Sequence, residues 1–374
     1  MRRRGVIAGA MAGVAAPVVA RAQTRDFRGA RAAYRLVKLP GELEQPWGMA
    51  FLPDGRLLIT ERPGRLRVFA NGRLDPKPLD GVPKVHATGQ GGLLDVALHP
   101  DFTRNRLIYL SLAAPAAGGA VTRVVRARLE DGRIADVTTI LDATPPTGGG
   151  LHFGSRLAFD RAGLLFVTTG ERYQMHRAQR LDDLGGKVIR LRDDGTVPPD
   201  NPFVGRAGAR PEIFSYGHRN PQGLATHPGT GRMWSVEHGP RGGDELNLLK
   251  AGANYGWPLA THGIDYGGGK ISDHKTLPGM EDPVRFWVPS ISPCGLMFYT
   301  GDAFPGWKGS LFTGALSAFA LFRIELDGER FAREERLLPD ALRAYVRDVR
   351  QGPDGTIYLC THADDGGLYR LEPA

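Results

Sequence analysis

Short apolar runs alternate with polar turns along nearly the whole chain, and the same unit returns six times. The clearest copy is Met49-Ala-Phe-Leu-Pro-Asp-Gly-Arg-Leu-Leu-Ile-Thr60. A second runs Val96-Ala-Leu-His-Pro-Asp-Phe102 and continues in Arg106-Leu-Ile-Tyr-Leu110. A third is Leu157–Thr168 and a fourth Leu224–Val236. The fifth is more diverged, Leu296-Met-Phe-Tyr299 followed by Gly309–Gly314, and the sixth is Val349–Cys360. Each unit predicts a hairpin. β-branched and aromatic residues favour a pleated surface, and Pro, Asp and Gly set the dihedrals of the turn. Copies recur roughly every 50 to 70 residues, the length of a four-stranded blade with its loops. The expected fold is therefore all-β, a six-bladed β-propeller with four-stranded blades. A sandwich of repeated hairpins is the rival, but radial closure leaves no long exposed edge.

Composition sharpens this picture. The chain has 374 residues, with 51 Gly and 28 Pro, which suits many turns and few long helices. Residues 1–22 read as a signal peptide of Sec or twin-arginine type: Arg2, Arg3 and Arg4, an apolar stretch, then Ala20-Arg21-Ala22 as a cleavage site. Residues 23–374 then form one propeller domain, periplasmic or secreted. The formal charge is +8. Removing the leader leaves about +4, too little and too scattered for nucleic-acid binding. No later stretch is long and apolar enough to span a membrane. Cys294 and Cys360 are the only cysteines and could pair in an oxidising compartment.

Four segments carry candidate chemistry. Gly89-Gln-Gly-Gly92 lets backbone approach a ligand, with Gln90 as its hydrogen-bonding side chain. Leu151-His-Phe-Gly-Ser-Arg156 supplies His152, and Glu171 stands at the far end of the same hairpin, where a carboxylate orients an imidazole base. Tyr216-Gly-His-Arg-Asn-Pro-Gln-Gly223 offers the Arg219 fork and Asn220, with His218 read as structural. Glu237–Lys250 and the following loop hold Asp244, Glu245 and Asp265 among Gly-rich turns, a hard-oxygen set suited to Ca²⁺.

These motifs, in this order and ending in Asn254-Tyr-Gly-Trp-Pro258, resemble the soluble quinoprotein sugar dehydrogenases, and among them the aldose sugar dehydrogenases. The similarity runs from about Leu43 to Leu371. It implies a propeller that binds pyrroloquinoline quinone (PQQ) and Ca²⁺ and oxidises the anomeric carbon of aldoses to lactones. By motif, His152 resembles the general base and Glu171 its orienting carboxylate. Gln90, Arg219, Asn220 and Tyr266 resemble quinone-binding residues, and Arg219 also stabilises charge on the quinone oxygen. The carbonyls of Gly239 and Pro240 resemble ligands of a cofactor-side Ca²⁺. Glu245, the Tyr255 carbonyl and Asp265 resemble a separate structural site. Ser317 and Tyr345 fall at cofactor-facing positions where the glucose-oxidising branch places Lys and Arg, so only Arg347 of that basic group is kept. Two rivals use the same residues: a Ca²⁺-dependent lactonase and a non-enzymatic carbohydrate-binding propeller. The sugar, the electron acceptor and the choice between monomer and homodimer are not written in these motifs.

Overall fold

The computed structural model describes residues 24–338 and 342–374. They form six antiparallel sheets, five of four strands and one of five. The first strand of each blade lies innermost: Pro46–Phe51, Leu93–Leu98, Leu157–Phe159, Pro221–Thr226, Pro293–Phe298 and Tyr345–Gln351. Each innermost strand packs against the next, and the sixth packs against the first. The chain is thus the six-bladed β-propeller that its repeats predict. Every repeat proves to be the inner hairpin of one blade.

The local chemistry of these hairpins repeats as well. In the first, the Leu52 amide donates to the Arg56 carbonyl at 2.7 Å, and Asp54 caps the Arg56 amide at 3.1 Å. Gly55 takes the left-handed dihedral the turn needs, φ 87°. The sixth does the same with Gly352, Thr356, Asp354 and Gly355. The second strands are apolar without alternation because each blade is covered on both faces. Leu58 packs with Val96 and Ile108 of the second blade, while Leu57 and Ile59 pack with Tyr358 and Cys360 of the last.

The ring closes through its two ends. Ala33–Lys38 pairs with Leu368–Pro373, from Tyr34 opposite Pro373 to Lys38 opposite Tyr369. Thr24–Arg28 adds a fifth strand outside it, one more than the four expected for a blade. Near the axis, Arg156 joins several blades at once. Its Nη1 faces Asp348 at 3.0 Å and Asp95 at 3.4 Å, its Nε donates to the Gln222 carbonyl at 2.7 Å, and its Nη2 donates to the Arg347 carbonyl at 2.9 Å. The guanidinium lies 4.0 Å from the Trp47 ring centroid. Asp348 in turn accepts the Met49 amide and Asp95 the Leu157 amide, each at 2.9 Å.

The leader expected over residues 1–22 lies outside the described residues. Cys294 and Cys360 are both buried free thiols, so the pairing the sequence allows is not made. Among the described residues no helix is long and apolar enough to cross a membrane.

Candidate active site at the mouth of the ring

The loop that enters the third blade is built against its backbone preferences. His152 and Ser155 have φ of 52° and 84°, in the left-handed region where side chains cost about 1–3 kcal/mol. Neighbouring blades hold it there. Gln90 Oε1 accepts the His152 amide at 2.8 Å, and Asn220 Oδ1 accepts the Gly154 amide at 3.1 Å. The second strand of the hairpin, Leu165–Thr169, then returns beside it. Gly170 is required here, since a methyl group on it would collide with the His152 carbonyl. That close approach brings Glu171 to the imidazole.

His152 Nδ1 lies 3.0 Å from Glu171 Oε1, with the ring only 4% exposed. The other carboxylate oxygen accepts the Gln174 amide at 2.7 Å, so Glu171 is fixed. A carboxylate at Nδ1 assigns the proton to that nitrogen and leaves the Nε2 lone pair free. Burial pushes the His152 pKa below its ordinary value, opposed by the Glu171 bond and reinforced by Arg219. The ring is therefore neutral near pH 7, the form a general base needs. A second pair, His218 with Glu237 at 2.8 Å, looks similar but has no free nitrogen. His218 Nε2 meets Ser215 Oγ at 2.9 Å, and the ring stacks on Tyr255, which confirms its structural reading.

Two cavities flank the His152 loop: the contacts and neighbours Gln90, Phe153 and Gly154 line one, and Glu171 and Tyr173 line the other. One, of about 220 Å³, is walled by Trp47, Arg62, Gln90, Asn220, Gln222, His238, Arg347 and His362, among others. The other, of about 140 Å³, is walled by Glu171, Tyr173, Arg219, Trp257, Asp265 and Tyr266, with Pro240. The imidazole packs edge-on against Tyr173, ring centroids 5.4 Å apart. The loop that carries Tyr173 is anchored by buried Lys187, whose Nζ donates to the carbonyls of Arg177, Ala178 and Gly185 at 2.9, 3.2 and 2.6 Å.

Among the described residues that line the larger cavity are two arginines and no carboxylate. Arg347 Nη1 donates to Gln222 Oε1 at 3.1 Å and to Cys294 Sγ at 3.4 Å. Arg62 donates from Nε to the Gly91 carbonyl at 2.9 Å and from Nη2 to the Gly89 carbonyl, and its Nη1 faces His362 Nε2 at 3.4 Å. No carboxylate is among these partners. Burial, Arg347 and Arg219 push His238 down to about 3; burial, Arg347 and Arg62 do the same to His362. Both imidazoles are therefore neutral. The Nε atoms of Arg347 and Arg219 are buried and unpartnered. Such a wall fits an anion bearing several carboxylates.

The remaining motif residues separate into two groups. Arg219 donates through Nη1 to the carbonyls of Gly239 at 2.7 Å and His238 at 3.1 Å, and through Nη2 to the Tyr266 hydroxyl at 3.5 Å. A cation thus already sits against the Gly239 carbonyl, where the sequence placed Ca²⁺. Glu245 lies opposite Glu237 in the strand register, and Asn247 Nδ2 bridges them at 3.0 Å to each. Burial, then Glu237, raises the Glu245 pKa well above its ordinary value. This oxygen-rich pair, with Tyr255 stacked beside it on His218, suits a hard cation.

Other expected partners are not brought together. Asp265 is exposed in the wall of the smaller cavity and shares no partner with Glu245. Asp244 is consumed by the Gly239 amide, the Ser290 hydroxyl and the Ile291 and Ser292 amides. Among the described residues, no three His, Cys, Asp or Glu side chains converge as a metal cage. Ser317 is exposed and bonded to Ser290 and Ser292, and Tyr345 is exposed and stacked on Phe319. Neither is among the residues that wall the larger cavity.

Arg62, His238 and His362 were not singled out from the sequence, yet a signal exists. Each stands seven positions after the turn glycine of its repeat: Gly55, Gly231 and Gly355. Gly170 holds the same place after Gly163, next to Glu171. Aligning the repeats marks this position as the strand end that faces the axis.

Fold and candidate site together fit a propeller whose polar side chains gather at the ends of its inner strands. Residues 43–370 match the Glucose / Sorbosone dehydrogenase family, and the chain belongs to that family; it is an oxidoreductase of the sugar dehydrogenase type. It is 46% identical to the aldose sugar dehydrogenase YliI of Escherichia coli (strain K12), over 90% of this chain and 92% of that one. A crystal structure of a glucose dehydrogenase superposes with a TM-score of 0.88 at 50% identity, covering 91% of this chain and 99% of the other. The PQQ-bound aldose sugar dehydrogenase of Streptomyces coelicolor gives 0.75 at 30% identity, covering 94% and 98%.

Proposed function

We propose that this protein is a PQQ-dependent aldose dehydrogenase that oxidises the anomeric carbon to a lactone. The observation that carries this reading is the His152–Glu171 pair, a carboxylate-oriented imidazole whose contacts Gln90 and Glu171 line a cationic chamber and an aromatic one respectively. The Streptomyces coelicolor relative, described in its PQQ-bound form, supports the choice of anion. Gln90, Asn220, Arg219 and Arg347 would hold the quinone, which supplies a two-electron acceptor for hydride. His152 Nε2 takes the proton of the anomeric hydroxyl, and Glu171 stabilises the imidazolium that results. The aldose ring lies in the smaller cavity. Tyr173, Trp257 and Tyr266 offer it apolar faces, Trp257 Nε1 is a buried donor without a partner, and Asp265 accepts hydroxyls. A Ca²⁺ at the Gly239 and Pro240 carbonyls would act as a Lewis acid, and it would have to share the Gly239 oxygen with Arg219 Nη1, which already donates to it at 2.7 Å. Glu245 and the Tyr255 carbonyl would hold a structural Ca²⁺. The Arg-rich leader pattern assigns the enzyme to the periplasm or the exterior.

Purified protein given PQQ and Ca²⁺ should reduce a redox dye when an aldose is added. Lactone hydrolysis without quinone, or sugar binding without turnover, would replace this reading with one of its two rivals.

Cation binding is tested separately. Ca²⁺ at a hundredfold excess over its Kd should stabilise the fold by about 2.7 kcal/mol. EDTA should therefore lower the melting temperature as well as turnover. Glu245→Gln should remove the structural site's share of the calcium-dependent gain. In EDTA it should melt no lower than the parent, because it removes the repulsion with Glu237. Melting and turnover that both ignore EDTA would exclude the bound cation.

A further inference from the structure

Arg62 is 8% exposed, and each of its hydrogen-bond partners is neutral: the Gly89 and Gly91 carbonyls and the His362 imidazole. The acidic group that acts on it through space, Asp364, already accepts Gln45 Nε2 at 2.6 Å. A buried guanidinium without a counter-anion is costly. The same cavity contains a second guanidinium, half-buried: among the described residues the hydrogen-bond partners of Arg347 are Gln222 and Cys294, and its buried Nε has none. Both guanidiniums line one chamber with the Trp47 ring, and Arg347 lies 5.8 Å from its centroid. Ser317 and Tyr345, expected from the sequence to face the cofactor, line no part of this chamber: Ser317 bonds to the Ser290 carbonyl and Tyr345 stacks on Phe319.

We propose that Arg62 is a cofactor-binding residue: with Arg347 it forms a clamp for the carboxylates of a flat, polyanionic ring, and His362, an imidazole where a carboxylate could have stood, leaves its charge free for that ligand. This inference rests on the quinone reading for the identity of the anion, but the clamp itself rests on the cavity. Arg62 also braces the Gly89-Gln90-Gly91 turn, so its two roles must be separated. His362→Asp does this. It places an internal carboxylate against Nη1 and leaves the contacts to the glycine carbonyls in place.

The test is a titration of calcium-loaded, quinone-free protein with PQQ, followed by quenching of tryptophan fluorescence, with a melting curve for each variant. A charge-assisted contact to a carboxylate sets the expected loss at about ten- to a hundredfold in affinity. Arg62→Met should show that loss, His362→Asp should show at least the lower end of it, and His362→Asn should weaken binding far less. Unchanged affinity in a folded Arg62→Met protein overturns the proposal. If that variant does not fold, His362→Asp decides, and parental affinity there overturns it. If the parent binds no PQQ, the quinone reading fails, and the titration is repeated with trimesate, a flat tricarboxylate without a quinone. Arg62-dependent binding of trimesate then upholds the clamp, and a parent that binds neither overturns it.

Discussion

Replacing His152 with Ala lowers turnover of the PQQ-loaded enzyme by about 10²- to 10⁴-fold, the usual cost of losing a positioned general base. Quinone affinity should change little, because the contact from this residue to the Gln90 side chain is made by its amide, which Ala keeps. Glu171→Gln should give a smaller loss, since an amide can still accept from Nδ1 but stabilises the imidazolium less. The pH profile gives an independent readout. Burial lowers the His152 pKa, and the base must be deprotonated to act. The acidic limb of kcat/KM should therefore lie below 6.5, the ordinary histidine value, with activity retained at pH 6.5 and lost on further acidification. A reconstituted His152→Ala protein with near-parental turnover would remove this residue from the mechanism.

The largest stability effect is expected at Arg156→Met. Arg156 is 1% exposed and stands between Asp95 and Asp348, which are also buried. Removing one partner from a buried ion pair typically costs about 3–5 kcal/mol, because the remaining charge has lost its compensation. Arg350 reaches the same two carboxylates at 3.6 and 3.2 Å and holds the loss within that range. For a chain of this size the melting temperature should fall on the order of 5 °C. Quinone affinity should fall too, since Arg156 holds the carbonyls of Gln222 and Arg347 below the chamber. A variant that melts with the parent would show that Arg350 alone neutralises both aspartates.

The blades were legible because each inner hairpin is local. Its apolar runs and its Pro-Asp-Gly turn lie within a dozen residues or so, and the dihedral demands are met in place. The His152–Glu171 pair was legible for the same reason: one hairpin joins the two residues. Arg62 and His362 were not, because what unites them is the ring. They stand 300 positions apart and meet only when the first and last blades become neighbours. Ring closure was hidden likewise, since Ala33–Lys38 has its partner at the other end of the chain. The calcium set was only half readable. Motif order grouped Asp244, Glu245 and Asp265, but Asp244 accepts from Gly239 and from the distant Ser290–Ser292 segment, and Asp265 turns to the aromatic cavity. Only Glu245 keeps the setting the motif suggested, through its neighbour Glu237.

The pairing of Ala33–Lys38 with Leu368–Pro373 also dictates the order in which the molecule can be completed. Synthesis runs from the N-terminus, so an early strand, already paired on one edge with Thr24–Arg28, waits with its other edge open for almost the entire remaining chain. Contacts of such long sequence separation form late and slowly. The chamber is divided by this same step, with Arg62 on the first blade and Arg347 and His362 on the last. A nascent or truncated chain therefore has hairpins but no chamber, and the two arginines are held side by side only after the final strand is in place.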